Sequence, residues 1–341
     1  MTVSPRLRRA LALTLRITIV AMIVGAGFGF VLTSYAPRSL ATGAGVGLLT
    51  AVPLSLFEFV VVSGPLGDRL RRAPFAALLA MRGVVYVAVV LGGYVAGRAL
   101  AGGFERAFIV DRTFAWSLGF SLLFGVTVNF VMLVRRLAGA GVIAHFVLGR
   151  YNTPRPERRA LLFLDIVNST GFAERIGPAR FHALLNRVMF DVAGTVLEAG
   201  GEIHKYVGDE VIVTWPAPAA GVDPRPGACL GQIFDRLDRR SADYAASFGA
   251  PVRLRAGLHV GEVVTGELGD LRQEIAMLGD GMNTAARLVD AARDSGDAAV
   301  ATSGSVDPAR LPAGWRARPL GAVTLRGKTA AVELVALERA G

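Results

Sequence analysis

The chain has 341 residues, of which 52% are hydrophobic and only 19% charged, against about 25% charged in average soluble domains. That length suggests about two domains, and that composition excludes both a disordered chain and a wholly soluble one. A single cysteine, Cys229, excludes a disulfide framework and a cysteine-rich metal site, and four histidines leave little for a histidine cluster.

The formal charge of +10 is unevenly placed. Residues 1–136 carry 14 arginines and 4 acids, whereas residues 137–341 carry 23 charges of each sign. The excess therefore lies in the apolar half, where basic residues flank membrane spans. Nucleic acid is not an expected partner. Only two of the 37 basic residues are lysines, Lys205 and Lys328.

Uncharged apolar stretches run over 17–37, 39–57, 83–97 and 113–134. A bilayer span needs about 20 residues. The third stretch reaches that length if it starts near Pro74 and carries Arg82 inside it. The expectation is a four-helix membrane domain over 1–137, with spans at about 17–37, 40–63, 75–97 and 113–134. Arginines 6, 8, 9 and 16 precede the first span, arginines 69, 71 and 72 follow the second, and Arg135 and Arg136 follow the fourth. This bias places both termini in the cytoplasm and the chain in the inner membrane, with the lipid bilayer as a partner. The third connection, where Arg98, Arg106 and Arg112 face Glu105 and Asp111, fits this scheme least well. A cleaved signal peptide over the first 40 residues is the competing reading, and the later spans weigh against it.

Glycines recur four apart at Gly25 and Gly29, Gly43 and Gly47, and Gly93 and Gly97. Such spacing lets helices approach closely in lipid. Glu58 and Arg82 are ionisable groups inside spans, where such groups usually pair or face a cavity. Residues 138–157 form the expected junction. Val142, Ile143, Phe146 and Val147 repeat at helical spacing, His145 lies among them, and Pro154 and Pro156 then break any helix.

The soluble domain is expected over 158–341. The apolar run Ala160 to Leu164 ends in Asp165 and reads as a buried strand with an acid at its exit. A helix is expected from about Pro178 to Ala199, apolar at Phe181, Leu184, Leu185, Val188, Met189 and Val192. Residues 201–207 and 210–215 flank Gly208-Asp209 and read as a hairpin with Asp209 at its tip. Two carboxylates at the ends of neighbouring strands suit a hard cation such as magnesium, which commonly serves phosphoryl chemistry. Each acid alone is equally readable as a loop acid or a turn former.

Three motifs follow one another in the soluble half. They are Phe163-Leu-Asp-Ile-Val-Asn-Ser-Thr170, Lys205-Tyr-Val-Gly-Asp-Glu210 and Leu278-Gly-Asp-Gly-Met-Asn-Thr-Ala-Ala-Arg-Leu288. In this order the segment from Arg158 to Leu337 closely resembles the catalytic domain of class III nucleotidyl cyclases. The resemblance implies a C-terminal α+β cyclase domain after an N-terminal all-α transmembrane bundle. It also implies a homodimer with active sites at the interface, ATP as substrate, and two magnesium or manganese ions per site.

Carried over by position, Asp165 and Asp209 match the metal-binding acids, and the carbonyl of Ile166 matches a backbone ligand. Ser169 and Thr170 fall where backbone amides meet the triphosphate, and Lys205 matches the adenine-reading lysine. Asn283 matches the residue that orients the ribose, and Arg287 the arginine that stabilises charge on the reacting phosphate. The two are i and i+4, so one helix face presents both. Lys328, in Leu325-Arg-Gly-Lys-Thr329, resembles the lysine that reaches the terminal phosphates. A compact ammonium on a flexible stem is not interchangeable with the planar fork this chain uses elsewhere.

One position departs from the family. Seven residues before Asn283 the family often has Asp or Thr, which helps the lysine read adenine; here Ala276 stands there. Lys205 still favours adenine, because its donors match a ring-nitrogen acceptor. The rival readings are a guanylyl or promiscuous cyclase, and a membrane receptor whose cyclase-like domain only dimerises. The signature of a diguanylate cyclase is absent, since Val207-Gly-Asp-Glu-Val211 stands in its place.

Overall fold

The computed structural model describes residues 5–32, 37–62, 75–102, 112–138, 150–271 and 273–340. Two compact units divide the chain, Met1–Leu133 and Val134–Gly341. The junction helix expected around 142–147 and the connections 64–73 and 103–111 lie outside the described residues.

The first unit holds α1 (Pro5–Leu32), α2 (Arg38–Leu56), α3 (Phe75–Gly102) and the start of α4 (Arg112–Ala138). Among the described residues three helices are long and apolar enough to cross a membrane: Ala10–Leu32, Ser39–Phe59 and Ala80–Gly97. The apolar helical stretch within α4, Phe114–Val128, is shorter. Three of the four expected spans thus meet the length and hydropathy requirement among the described residues, and α4, 27 residues long, runs over the fourth.

The glycine spacing becomes a helix contact. A Cβ built on Gly25 of α1 would sit 2.5 Å from the carbonyl oxygen of Gly43 in α2, so a side chain at either position would push the backbones apart. Pro53 lies inside α2, and the helix continues as a π-helical turn over Phe57–Val62 that carries Glu58. The Arg82 guanidinium of α3 donates to Glu58 Oε2 at 3.2 Å, and Tyr86 Oη donates to Oε1 at 3.2 Å. Glu58 and Arg82, both inside apolar helices, are thus partners, as burial in an apolar bundle favours.

The second unit is built on an eight-stranded mixed sheet. Its strands are β1 (Arg155–Ile166), β2 (Glu202–Val207), β3 (Glu210–Pro216), β4 (Leu254–Leu268), β5 (Glu274–Leu278), β6 (Ala299–Thr302), β7 (Trp315–Val323) and β8 (Val332–Arg339). The order is β2-β3-β1-β4-β6-β8-β7, and β5 pairs with the far end of β4. Only β4 and β6 run parallel among these pairings. The helices are α5 (Ser169–Ile176), α6 (Pro178–Glu198), α7 (Arg225–Arg239), α8 (Ser241–Phe248) and α9 (Asp280–Ser295).

β1 is central and covered on both faces, which is why its sequence is a continuous apolar run rather than an alternation. Ala160, Leu162 and Leu164 join Leu184, Val188, Val192 and Val196 of α6 and Cys229, Leu230 and Ile233 of α7. Leu161 and Phe163 face the other way, with Ile212, Val263, Met277 and the α9 residues Ala285 and Val289. Helix α6 opens with proline in its first turn, where the missing N–H costs nothing. Its Asp191 is 1% exposed. That carboxylate accepts from Arg240 at 2.5 Å and from Tyr244 at 2.7 Å, so the buried charge is paired and ties α6 to α8.

β1 begins at Arg155, earlier than the expected domain start at 158. Tyr151 is 2% exposed, its hydroxyl donates to Glu157 at 3.0 Å, and its carbonyl accepts from the Glu267 amide at 3.1 Å. These residues, read as junction from the sequence, pack into the second unit.

Candidate active site

β1 delivers Asp165 at its end, on the face of Leu161 and Phe163 that looks toward α9. β3 runs antiparallel beside it with Val211 opposite Leu164, and this register sets the β2–β3 turn next to Asp165. In that turn Gly208 takes a φ of +62° while Asp209 does not go positive. A two-residue hairpin with glycine first is the type II′ solution, so Gly-Asp in this order is the sequence the turn requires.

Burial, then hydrogen bonding and charge from the neighbouring Asp209, push the Asp165 carboxyl up to about 6, and the charge of Arg293 pulls the other way. Arg293 of α9 stands 3.7 Å from Asp165. Burial, then the charges of Asp165, Asp209 and Asp290, push Glu210 up to about 7. Both groups keep a proton in the folded chain at pH values where the unfolded chain has lost it. Their contribution to stability is present in acid and is lost as the pH rises through about 6 to 7. In cation-free buffer the unfolding temperature should therefore fall between about pH 5 and pH 8. A flat or rising melting profile across that window would contradict the clustering.

Two adjoining carboxylates with no nitrogen or sulfur donor are a donor set that fits magnesium or manganese. Among the described residues no group of three or more His, Cys, Asp and Glu side chains is arranged to hold a metal. Further ligands would have to come from backbone, water or substrate phosphate. Ile166 closes β1 with its side chain buried in the core.

Next along the chain, Asn168 adopts a left-handed conformation, φ 57° and ψ 41°, and α5 begins at Ser169. A Cβ on Gly171 would lie 2.7 Å from Asn168 Oδ1, so glycine there gives the asparagine side chain room over the first turn. The sharp reversal presents the opening amides of α5, at Ser169 and Thr170, just beyond Asp165. The first N–H groups of a helix lack helical acceptors and suit an anion.

Lys205 lies on β2, whose pairing with β3 slips by one residue. Ile203 is opposite Val213 and Lys205 is opposite Ile212, leaving His204 as the extra residue of a bulge. In a regular strand residues 203 and 205 would share a face. Here Ile203 points with Val213 toward α6, and Lys205 with Ile212 toward the opposite face. Burial and the nearby ammonium hold the His204 imidazole below its ordinary value. Lys205 Nζ donates to both Glu274 oxygens, at 2.9 and 3.1 Å. Glu274 and Ala276 sit two apart on β5, hence on one face.

Asn283 is exposed on the first turn of α9, and Arg287 is half-buried one turn later. Lys328 pairs with Asp280 at the start of the same helix. A cleft of about 540 Å³ lies between α9 and the β7–β8 connection, lined by Arg287, Arg293, Asp290, Asp294, Thr324 and Arg326 among others. Arginines outnumber acids among those six, so the cleft favours an anion.

The candidate residues form three groups. Asp165 and Asp209 meet, Lys205 stands beside the Ala276 strand, and Asn283, Arg287 and Lys328 line α9. Among the described residues no hydrogen bond or ion pair joins Asp165 or Asp209 to Lys205, Asn283 or Arg287. Asp165 meets α9 through Arg293, ten residues beyond Asn283, about 15 Å along the helix at ~1.5 Å per residue. Glu274 and Arg293 are site neighbours outside the motifs, and Glu210 lies inside one without having been assigned a role.

The profile described as the adenylate and guanylate cyclase catalytic domain matches residues 152–337. The chain belongs to the adenylate and guanylate cyclase family. It is 32% identical over 323 residues to Adenylate cyclase 2 of Rhizobium meliloti (strain 1021), covering 92% of this chain and 88% of that one. It is also 30% identical over 177 residues to Adenylate cyclase 1 of the same strain, covering 51% of this chain and 26% of that one. Among solved structures, a bacterial light-regulated adenylyl cyclase aligns with a TM-score of 0.52 at 22% identity over 64% of each chain, a likeness of fold. The match to the first relative runs well beyond the cyclase catalytic domain, so the apolar helices are part of what the two chains share.

Proposed function

We propose that this chain is a membrane-anchored adenylyl cyclase that converts ATP to 3′,5′-cyclic AMP and pyrophosphate at sites shared between two copies. The acid pair supports this most directly: Asp165 and Asp209 meet at the ends of adjacent elements, while Asn283 stands about 15 Å along α9 from the residue that meets Asp165. A second protomer would bring its Lys205, Asn283 and Arg287 to that acid pair. Magnesium or manganese bound there would lower the pKa of the ribose 3′-hydroxyl and neutralise charge at the α-phosphate.

The chain's own groups do the positioning. Asp165 and Asp209 hold the cation-bearing end of the site, the α5 amides at Ser169 and Thr170 and the ammonium of Lys328 receive the phosphates, and Asn283 orients the ribose. Arg287 stabilises charge as the 3′-oxygen displaces pyrophosphate. The direct test is product analysis with ATP and magnesium: cyclic AMP and pyrophosphate in equal amounts support the reading, and no cyclic product overturns it.

The membrane reading rests on the apolar helices and the arginine bias, with both termini and the catalytic unit cytoplasmic in the inner membrane. Cys229 is fully buried and its thiol is pushed up to about 12 by burial, so it will not react with an impermeant thiol reagent. Pro37→Cys, between α1 and α2, should label in intact cells, and Ala242→Cys on α8 only after lysis. Labelling of Ala242→Cys from outside would overturn the orientation.

A further inference from the structure

Lys205 is one of only two lysines in the chain, and it is not alone. Its Nζ reaches both oxygens of Glu274, 69 positions away. The side chains are 48% and 41% exposed, and an ion pair this exposed adds little stability. Its place is more informative than its strength. Glu274 shares a face of β5 with Ala276, whose methyl offers nothing to a base, and the bulge at His204 turns Lys205 toward the face opposite α6. One edge of the site thus carries a donor and an acceptor side by side.

We propose that Glu274 is a specificity residue that accepts a hydrogen bond from the exocyclic amine of adenine while Lys205 donates to the adjacent ring nitrogen. The proposal rests on the adenylyl cyclase reading and assigns the acceptor that Ala276 cannot supply. Adenine presents an amine donor beside a ring acceptor, which matches a carboxylate beside an ammonium. Guanine presents the reverse order, a carbonyl acceptor beside a ring N–H. Held in this order, the pair would face guanine donor to donor and acceptor to acceptor. A site built to hydrogen-bond one group discriminates strongly against a ligand that leaves its polar groups unpaired. The carboxylate stem of Glu274 is long enough to swing from Lys205 onto an entering base, so the ion pair is the resting arrangement of the two groups that read it.

The test compares kcat/KM for ATP, GTP and purine riboside triphosphate, which lacks the exocyclic amine, on the full-length protein in membranes. Glu274→Ala should lower the ATP to GTP ratio about tenfold or more and lower kcat/KM for ATP by a larger factor than for the purine riboside substrate. Glu274→Gln keeps a carbonyl acceptor but adds an amide donor that can face the guanine carbonyl, so its ratio should fall between those of Glu274→Ala and the unsubstituted protein. Each ratio is taken on one preparation, so a partly unfolded variant does not mimic the effect. Cyclic AMP formation with an unmoved ATP to GTP ratio in Glu274→Ala would overturn the role of Glu274 alone, as would an equal loss on ATP and the purine analogue. Absence of any cyclic product from the unsubstituted protein would overturn the cyclase reading and this assignment with it.

Discussion

Asp209→Ala should lower cyclic AMP formation by about a thousandfold or more, equivalent to roughly 4 kcal/mol of transition-state stabilisation, while making the cation-free protein easier to keep folded at alkaline pH. The two effects have one cause. Asp209 contributes the hydrogen bond and the charge that, with burial, hold Asp165 at about 6. Removing it relieves a repulsion that Arg293 offsets only in part and that a bound cation would offset further. The turn itself should survive, because Gly208 supplies the positive φ. The unfolding temperature of Asp209→Ala at about pH 8 should therefore be equal to or higher than that of the parent, with a shallower pH dependence. Added magnesium should raise the melting temperature of the parent at that pH and leave the variant unmoved. Near-normal turnover in Asp209→Ala would remove the acid pair from the mechanism.

The second large effect is recovery rather than loss. If each site takes its acids from one chain and its α9 residues from the other, Asp209→Ala and Asn283→Ala chains are each inactive alone. Mixed and allowed to exchange, they form heterodimers in which one site is doubly defective and the other is intact. Random pairing in a two-fold dimer then predicts about a quarter of the parent's activity. The spacing on α9 makes this a sharp test, since Arg293 contacts Asp165 and Asn283 lies ten residues away on the same helix. A mixture as inactive as its parents, with exchange verified, would show that each site is built within one chain.

Much of the catalytic unit was legible in the sequence where one physical rule dominates. The run from Ala160 to Leu164 is buried on both faces, and only a central strand needs that composition. The apolar positions of α6 recur every three or four residues, and the helix begins and ends close to the expected residues. The motifs located Asp165 and Asp209 because each is fixed by its own strand end or turn.

Legibility failed where long-range pairing decides. Residues 155–157 look like the end of a charged junction, yet β1 already begins at Arg155, and Glu157 accepts from Arg159, which is 6% exposed, at 2.8 Å inside the same strand. Glu274 gives no local signal, because its partner is 69 positions away on another strand. The period-two rule misassigns Lys205 to the face of Ile203, because a bulge cannot be seen without the partner strand.

The bulge at His204 also bears on cooperativity. Beyond it the hairpin tip is a short, regularly paired ladder, with Val207 opposite Glu210, and it carries Lys205 and Asp209 together. In a dimer with shared sites those two residues serve different nucleotides, the lysine in one site and the acid in the other. Closure of the tip on the first nucleotide then moves a cation ligand of the second site by the same displacement. Nucleotide saturation would depart from a hyperbola, and a Hill coefficient different from one would report the coupling carried by the five residues from Lys205 to Asp209.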